Sequence, residues 1–285
     1  MVAAARPQTN DPAVLTPSDL ELPRAWPDYV FRRIGAFFRF LRTLLFGGRD
    51  VVLPPGLRRG EELPAYLLRE FHRMPNGYYS HVLANGYERG FERAMLGHVA
   101  SVRIWMAEQT KDSRAVLDIG CGSGKLAGAM ASVGVPDVWA IDASLYQLKI
   151  AAREYPALNL VHGLAESTPF DDGRFDAVGA CFLFHELPTE AQNAVLAEVR
   201  RVLRPGGILV IAEPSPEQVR DGLRTLWRQH GWRGIYFRVL AKFVTEPYLE
   251  QWHGRSITEW ATGHGFVVEK DESKVPFRRI VLRRS

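Results

Sequence analysis

Residues 115–125 read Ala-Val-Leu-Asp-Ile-Gly-Cys-Gly-Ser-Gly-Lys, and no other stretch limits the fold so narrowly. The apolar run 115–119 is too short for a helix and is bounded by glycine, which predicts a buried parallel strand. Gly120, Gly122 and Gly124 follow in a loop whose backbone N–H groups can approach a ligand closely, because no side chains intervene. From Leu126 the residues Leu126, Ala127, Ala129 and Met130 recur at helical spacing. Strand, glycine loop and helix are the parts of a nucleotide site, although a simple tight turn uses the same residues. Asp118 favours the site, since a carboxylate inside a buried strand is costly unless it holds backbone amides or a ligand amine. The glycines are spaced G-x-G-x-G, unlike the G-x-G-x-x-G of dinucleotide binders.

Strand and helix patterns then alternate. Strands are expected at 138–141, 158–161, 175–181 and 208–212, with helices at 145–153 and 190–203. A helix at 256–263, capped by Ser256 or Thr258, precedes two closing strands at 264–269 and 279–282. Repeated units of this length imply an α/β fold, a doubly wound, mostly parallel sheet with helices on both faces. Right-handed crossovers bring the strand C-termini to one edge, where ligands bind. Asp118, Asp142, Ala165, Cys181 and Glu213 all fall at or just after those ends.

With Asp118 included, the glycine stretch resembles motif I of the class I S-adenosylmethionine (SAM) methyltransferases. Asp142-Ala-Ser-Leu-Tyr-Gln-Leu looks like the acidic motif of that family. His162-Gly-Leu-Ala-Glu-Ser-Thr-Pro-Phe and Arg174-Phe-Asp-Ala-Val match its third-strand loop and fourth strand, and Arg201-Val-Leu-Arg-Pro-Gly-Gly-Ile-Leu its fifth-strand motif. The similarity is continuous over 115–214 and weak outside it, and is greatest to the small-molecule group that includes ubiquinone and menaquinone C-methyltransferases and sterol methyltransferases.

The resemblance implies a seven-stranded Rossmann-like sheet and SAM as cofactor. Asp118 and the loop amides of Gly120, Cys121, Gly122 and Gly124 would hold the amino acid end of the cofactor. Asp142, about 20 residues past the loop, would accept from the ribose hydroxyls; alternatively it caps the next helix, a role Ser144 could also fill. Ala143 and Leu145 could pack on the adenine, and Phe182 falls in the same site. Many relatives carry an Asp before the Ala-Glu of the third-strand loop, where this chain has Leu164. The adenine contact would then come from the Ala165 backbone or from Glu166.

Methyl transfer depends mostly on alignment, so few catalytic side chains are needed. A base is required when the acceptor is a phenol, a hydroxyl or an acidic carbon. His185 is the best-placed candidate, with Glu186 and Glu213 as lesser ones; the histidine could equally position substrate or cap the helix that follows.

N-terminal to the glycine stretch, residues 1–28 hold Pro7, Pro12, Pro17, Pro23 and Pro27 among polar residues and read as a disordered arm. Residues 29–110 read as a helical extension or lid. Within it, 29–46 is a basic amphipathic helix: Val30, Ile34, Phe37, Phe38, Leu41, Leu44 and Leu45 share one face, and Arg32, Arg39 and Arg42 cluster opposite. That pattern fits an interfacial membrane anchor or a helix packed on the core of its own domain. Gly47 and Gly48 would end it. A short helix from Pro64 and a long one over 78–107, with Tyr78, Tyr79 and Tyr87 near its start, complete the extension. The remainder, 111–285, is the SAM-binding domain. Its segment 215–254 carries Arg224, Trp227, Trp232, Tyr236, Phe237 and Phe243, suited to a cap over a lipophilic pocket or to plain packing.

The bulk properties exclude several classes. A net charge of +4 on 285 residues, with dispersed arginines, is no nucleic-acid footprint. Cys121 and Cys181 form neither a disulfide framework nor a metal spacing, which fits a reducing compartment and predicts no metal. The N-terminus lacks a secretory pattern, and no apolar run reaches the ~18 residues of a membrane span. The expectation is a cytoplasmic methyltransferase acting on a small lipophilic acceptor of quinone, sterol or phenol type, with 29–46 open to either membrane association or core packing. Alternatives are a SAM-binding protein without turnover, another use of SAM, and a dinucleotide-dependent oxidoreductase.

Overall fold

The computed structural model describes residues 11–46, 50–57, 63–70, 74–244 and 246–285. Helix α1 (Ile34–Phe46) is followed by α2 (His81–Ala94) and α3 (His98–Gln109). The α/β part runs β1 (Ala115–Ile119), α4 (Lys125–Ser132), β2 (Asp137–Asp142), α5 (Leu145–Glu154), β3 (Asn159–His162), β4 (Phe175–Cys181), α6 (Thr189–Val202) and β5 (Leu203–Pro214). Four helices follow, α7 (Glu217–Arg220), α8 (Leu223–His230), α9 (Trp232–Val244) and α10 (Leu249–Gly254), then α11 (Ile257–Gly263), β6 (Phe266–Lys274) and β7 (Phe277–Arg284).

The seven strands lie in the order β3-β2-β1-β4-β5-β7-β6. The first five are parallel, and β7 pairs antiparallel with both β5 and β6. The chain moves outward from β1 in both directions, so the crevice at its C-terminal end is the topological switch point. Alternation along the strands divides the core. Leu117, Ile119, Trp139, Ile141, Val178 and Ile211 face one layer with Val195, Leu196 and Trp260. Val116, Val138, Ala140, Ala177, Val210 and Ala212 face the other with Val102, Met106 and Met130. The period of two along each strand makes this division, and burial on both faces explains why the strands read as unbroken apolar runs.

Four expectations need correction. Residues 11–28 are not a free arm: Asp11 pairs with Arg174 at 2.7 Å, the Leu15 N–H donates to the Leu160 carbonyl, and the Tyr146 hydroxyl to the Pro23 carbonyl. Residues 1–10 lie outside the described residues. The helix expected over 78–107 is two, broken at Leu96 and Gly97, both with positive φ. Its second half, α3, packs on α4 and β5 and is thereby a member of the domain's own helical layer. After Pro64 only a single 3-10 turn, Ala65–Leu68, forms.

Helix α1 turns its apolar face outward. Ile34, Phe37, Phe38, Leu41 and Leu45 are all exposed, Ile34 to 80%. Thr43 is buried, and the Arg39 guanidinium lies 4.3 Å from the centroid of Trp26. The side of the helix that carries Arg39 therefore seats it on the protein, so its apolar stripe does not pack on the core of the domain. Gly47 and Gly48 lie outside the described residues.

Candidate functional site

The glycine loop is shaped by conformations that side chains resist. Gly120, Gly122 and Gly124 have φ of 62°, 53° and 77°, and a Cβ on Gly120 would meet the Leu183 side chain at 2.7 Å. The Cys121 N–H donates to the Ile141 carbonyl at 3.1 Å, tying the loop to the end of β2. Asp142 then braces it from the side: one carboxylate oxygen accepts from the Gly122 N–H at 2.8 Å and the other from the Ser144 N–H at 2.7 Å. Ser144, not Asp142, is the N-cap of α5, and its hydroxyl donates to the Tyr78 carbonyl. That bond pins the N-terminal segment over the pocket mouth.

Asp118 is buried beneath the loop and accepts from the Ala127 N–H at 3.0 Å. Burial pushes its carboxyl up to about 8, against the opposing effects of the Ala127 bond and the nearby Arg103 guanidinium. Burial also raises Asp142, again against its two backbone bonds. Arg103 comes from α3, pairs with Glu92, and joins Asp118 in the pocket lining. Nothing in its sequence neighbourhood points there.

Tyr66, Tyr78, Ala143, Gln147, Leu164, Ala165 and Glu166 line the same pocket. The Glu166 carboxylate accepts from the Tyr66 hydroxyl at 2.6 Å, so this acid is already committed to a residue of the N-terminal segment. Gln147 is 2% exposed and its Oε1 has no hydrogen-bond partner. A buried acceptor without a donor is costly by ~1–3 kcal/mol, and a ligand donor in the pocket would relieve it. The glycine cradle, the buried carboxyl and this orphaned amide fit a ligand with an amino acid end and a hydroxylated, nitrogen-rich end. Burial pushes the Cys121 thiol well up and the Cys181 thiol to about 12, which disfavours the reactive thiolate form of both.

Phe182 separates this pocket from a second cavity. Its φ of 59° places a non-glycine residue in the left-handed region, held by the N–H bond to the Ala212 carbonyl and by edge contacts with Phe91 and Phe277. The second cavity is walled by Met74, Gly90, Met95, Phe237, Leu240 and Val244, and it shares Tyr87, Phe91, Phe182 and Glu186 with the first. His185 faces this second cavity. Its Nδ1 lies 2.5 Å from Glu213 and its Nε2 3.3 Å from Glu246, which enters just after α9. Two carboxylates outweigh burial and hold the imidazole well above its usual range, which favours its charged form. Glu213 also accepts from the Leu183 and Phe184 N–H groups. Among the described residues no cluster of His, Cys, Asp and Glu is arranged to hold a metal.

The methyltransferase domain family matches residues 117–211. A demethylmenaquinone methyltransferase of Chlorobaculum tepidum is 35% identical over 131 residues, 42% of this chain and 53% of that protein. The chain thus spans about half the length of that relative. The enzyme of the same name from Renibacterium salmoninarum is 36% identical over 179 residues, covering 63% of this chain and 70% of that protein. The Beutenbergia cavernae enzyme is 36% identical over 186 residues, with coverage of 63% and 69%.

Proposed function

The chain belongs to the class I SAM-dependent methyltransferases, and from that premise we propose that its acceptor is a small lipophilic ring of quinone, sterol or phenol type, bound in the cavity beyond Phe182. The observation that carries this reading is the shared wall: Tyr87, Phe91, Phe182 and Glu186 line both cavities, so the pocket that holds Asp118 and Asp142 adjoins a more apolar one. The names of the relatives support a demethylated naphthoquinone as the first acceptor to test.

In this reading Asp118 and Arg103 take the ammonium and carboxylate of the cofactor's amino acid end, and Asp142 with Gln147 takes the ribose hydroxyls. Ala143, Leu164 and Ala165 supply the apolar slot and backbone groups for adenine, while Gly120, Cys121, Gly122 and Gly124 allow close backbone approach. Leu164 is no obstacle, because an adenine can be held by stacking and backbone bonds. Bound there, SAM supplies an electrophilic methyl on a sulfonium. The chain's own work is orientation and exclusion of water by the aromatic wall. His185, engaged by carboxylates at both ring nitrogens, orients the acceptor in place of serving as the base expected from the sequence; where the acceptor O–H or C–H bond breaks, Glu246 takes the proton. The segment ahead of α3, which brings Tyr66, Tyr78 and Tyr87 to the pocket, acts as the lid and 215–254 as the cap over the acceptor. The exposed apolar face of α1, flanked by arginines, supports contact with a membrane surface on the cytoplasmic side. No described helix is long and apolar enough to cross one.

The test is calorimetric titration with S-adenosylhomocysteine, with NAD as control, followed by transfer of labelled methyl from SAM to demethylated naphthoquinones, sterols and phenols. Binding of S-adenosylhomocysteine together with labelled quinone product supports the reading. Label on a water-soluble acceptor alone would overturn the lipophilic assignment. Binding without product on any acceptor would favour a SAM-binding protein without turnover.

A further inference from the structure

The cap helices α8 and α9 carry a second apolar surface, unrelated in sequence to α1. On α9, Trp232, Val239 and Phe243 are spaced by seven and four residues and form one ridge, each more than half exposed. On α8, Leu223 and Trp227 stand one turn apart and are exposed to 57% and 60%. The opposite side of α9 is the inner one: Phe237 is buried, and Phe237, Leu240, Ala241 and Val244 wall the acceptor cavity. Five large apolar side chains in 21 residues are more than single exposed residues on an ordinary surface.

Within the two helices the charge has one sign. Residues 223–244 contain Arg224, Arg228, Arg233, Arg238 and Lys242 and no acidic residue. Arg238 is turned inward onto the Val219 and Asp221 carbonyls. Arg224, Arg228, Arg233 and Lys242 are exposed beside the ridge, with Arg233 over the Trp232 ring. Two tryptophans at a polar–apolar boundary, with purely cationic neighbours, match the chemistry of a bilayer interface with anionic headgroups.

We propose that the α8–α9 surface docks on an anionic lipid bilayer, so that the helix walling the acceptor cavity is also the one in contact with the lipid. Docking itself is independent of the acceptor assignment; only the acceptor's route from bilayer to cavity rests on the function proposed above. A lipophilic acceptor would then pass around α9 without crossing water.

The experiment is co-sedimentation of the full chain with phosphatidylcholine vesicles, with and without about one third phosphatidylglycerol, at low and high salt. Three variants are compared: Trp232→Ser/Val239→Ser/Phe243→Ser, Arg224→Glu/Arg228→Glu/Arg233→Glu, and Phe37→Ser/Phe38→Ser in α1. S-adenosylhomocysteine binding confirms that each is folded. The expected result is salt-sensitive binding to the anionic vesicles, weakened about tenfold or more by each of the first two variants while cofactor binding is retained. Absence of vesicle binding by the unaltered chain would overturn the proposal. So would full binding by both cap variants with loss only in the α1 variant, which would place the contact on α1 alone. Concentration-dependent dimerisation abolished by the ridge variant, without vesicle binding, would assign the surface to a second copy of the chain. Turnover on a water-dispersed acceptor without vesicles tests the function separately, since it needs no docking.

Discussion

The Glu213 carboxylate lies 2.5 Å from Nδ1 of His185 and also accepts the Leu183 and Phe184 N–H groups, so one acid at the end of β5 organises the whole turn after β4. Glu213→Ala strips the buried imidazole of its Nδ1 partner, leaving only Glu246, and leaves the Leu183 and Phe184 N–H groups without an acceptor; it should cost ~3–5 kcal/mol in urea unfolding. The pH dependence has a definite sign. The folded histidine is raised well above its ordinary 6.5, so its contribution is complete below that value and is lost as pH rises through the folded one. The stability gap between the unaltered chain and His185→Gln should therefore be largest in mildly acidic solution and shrink in alkaline solution. A gap that widens with pH would mean the imidazole is neutral.

Asp118 makes the opposite kind of statement about ligand binding. Burial raises its carboxyl to about 8 from an ordinary 3.8 despite the nearby Arg103 guanidinium, which favours the protonated form at neutral pH. An arriving ammonium favours the charged form, so binding of S-adenosylhomocysteine should release up to one proton. Calorimetry in two buffers of different ionisation enthalpy reads that number directly. In Asp118→Asn the release should vanish. For folding, the same shift means a contribution present below about 3.8 and lost as pH rises through about 8, which Asp118→Asn should flatten. Arg103→Gln should weaken binding by ~1.5–3 kcal/mol through the lost charged contact.

At Asp142, both carboxylate oxygens already serve the backbone, so its removal should harm the loop as well as any ribose contact. Asp142→Ala should lose ~1.5–3 kcal/mol of S-adenosylhomocysteine affinity. Asp142→Asn keeps one acceptor and should lose less. Equal affinity in all three proteins would place the ribose elsewhere.

What the sequence made legible is local. The strand ends, the glycine loop and Asp142 follow from runs of a few residues, and the division of the core follows from alternation along each strand. Long-range partners were not legible. Tyr66 and Glu166 are 100 residues apart, His185 and Glu246 sit on different elements, and Arg103 lies in a helix whose pattern shows only core spacing. Gln147 carries no signal of its own until β2 and α5 are placed beside the loop. The proline-rich arm misled for a related reason: the partner of Asp11 is Arg174, and composition cannot report a contact that distant. For α1, helical spacing identified the apolar face but not which way it points, because a core and a lipid surface select the same residues.

The outward orientation of that face gives the last prediction. Phe37 and Phe38 are exposed to 46% and 61%, so replacing both with serine removes about the buried area of one phenylalanine and should cost no more than ~2–3 kcal/mol of unfolding free energy. Two core phenylalanines would cost several times that. If α1 meets a bilayer, the same variant should bind anionic vesicles several-fold more weakly, since each ring would have buried its apolar surface there. Stability and vesicle binding thus respond to very different extents to one change. Marked destabilisation would mean that the stripe packs within the protein after all.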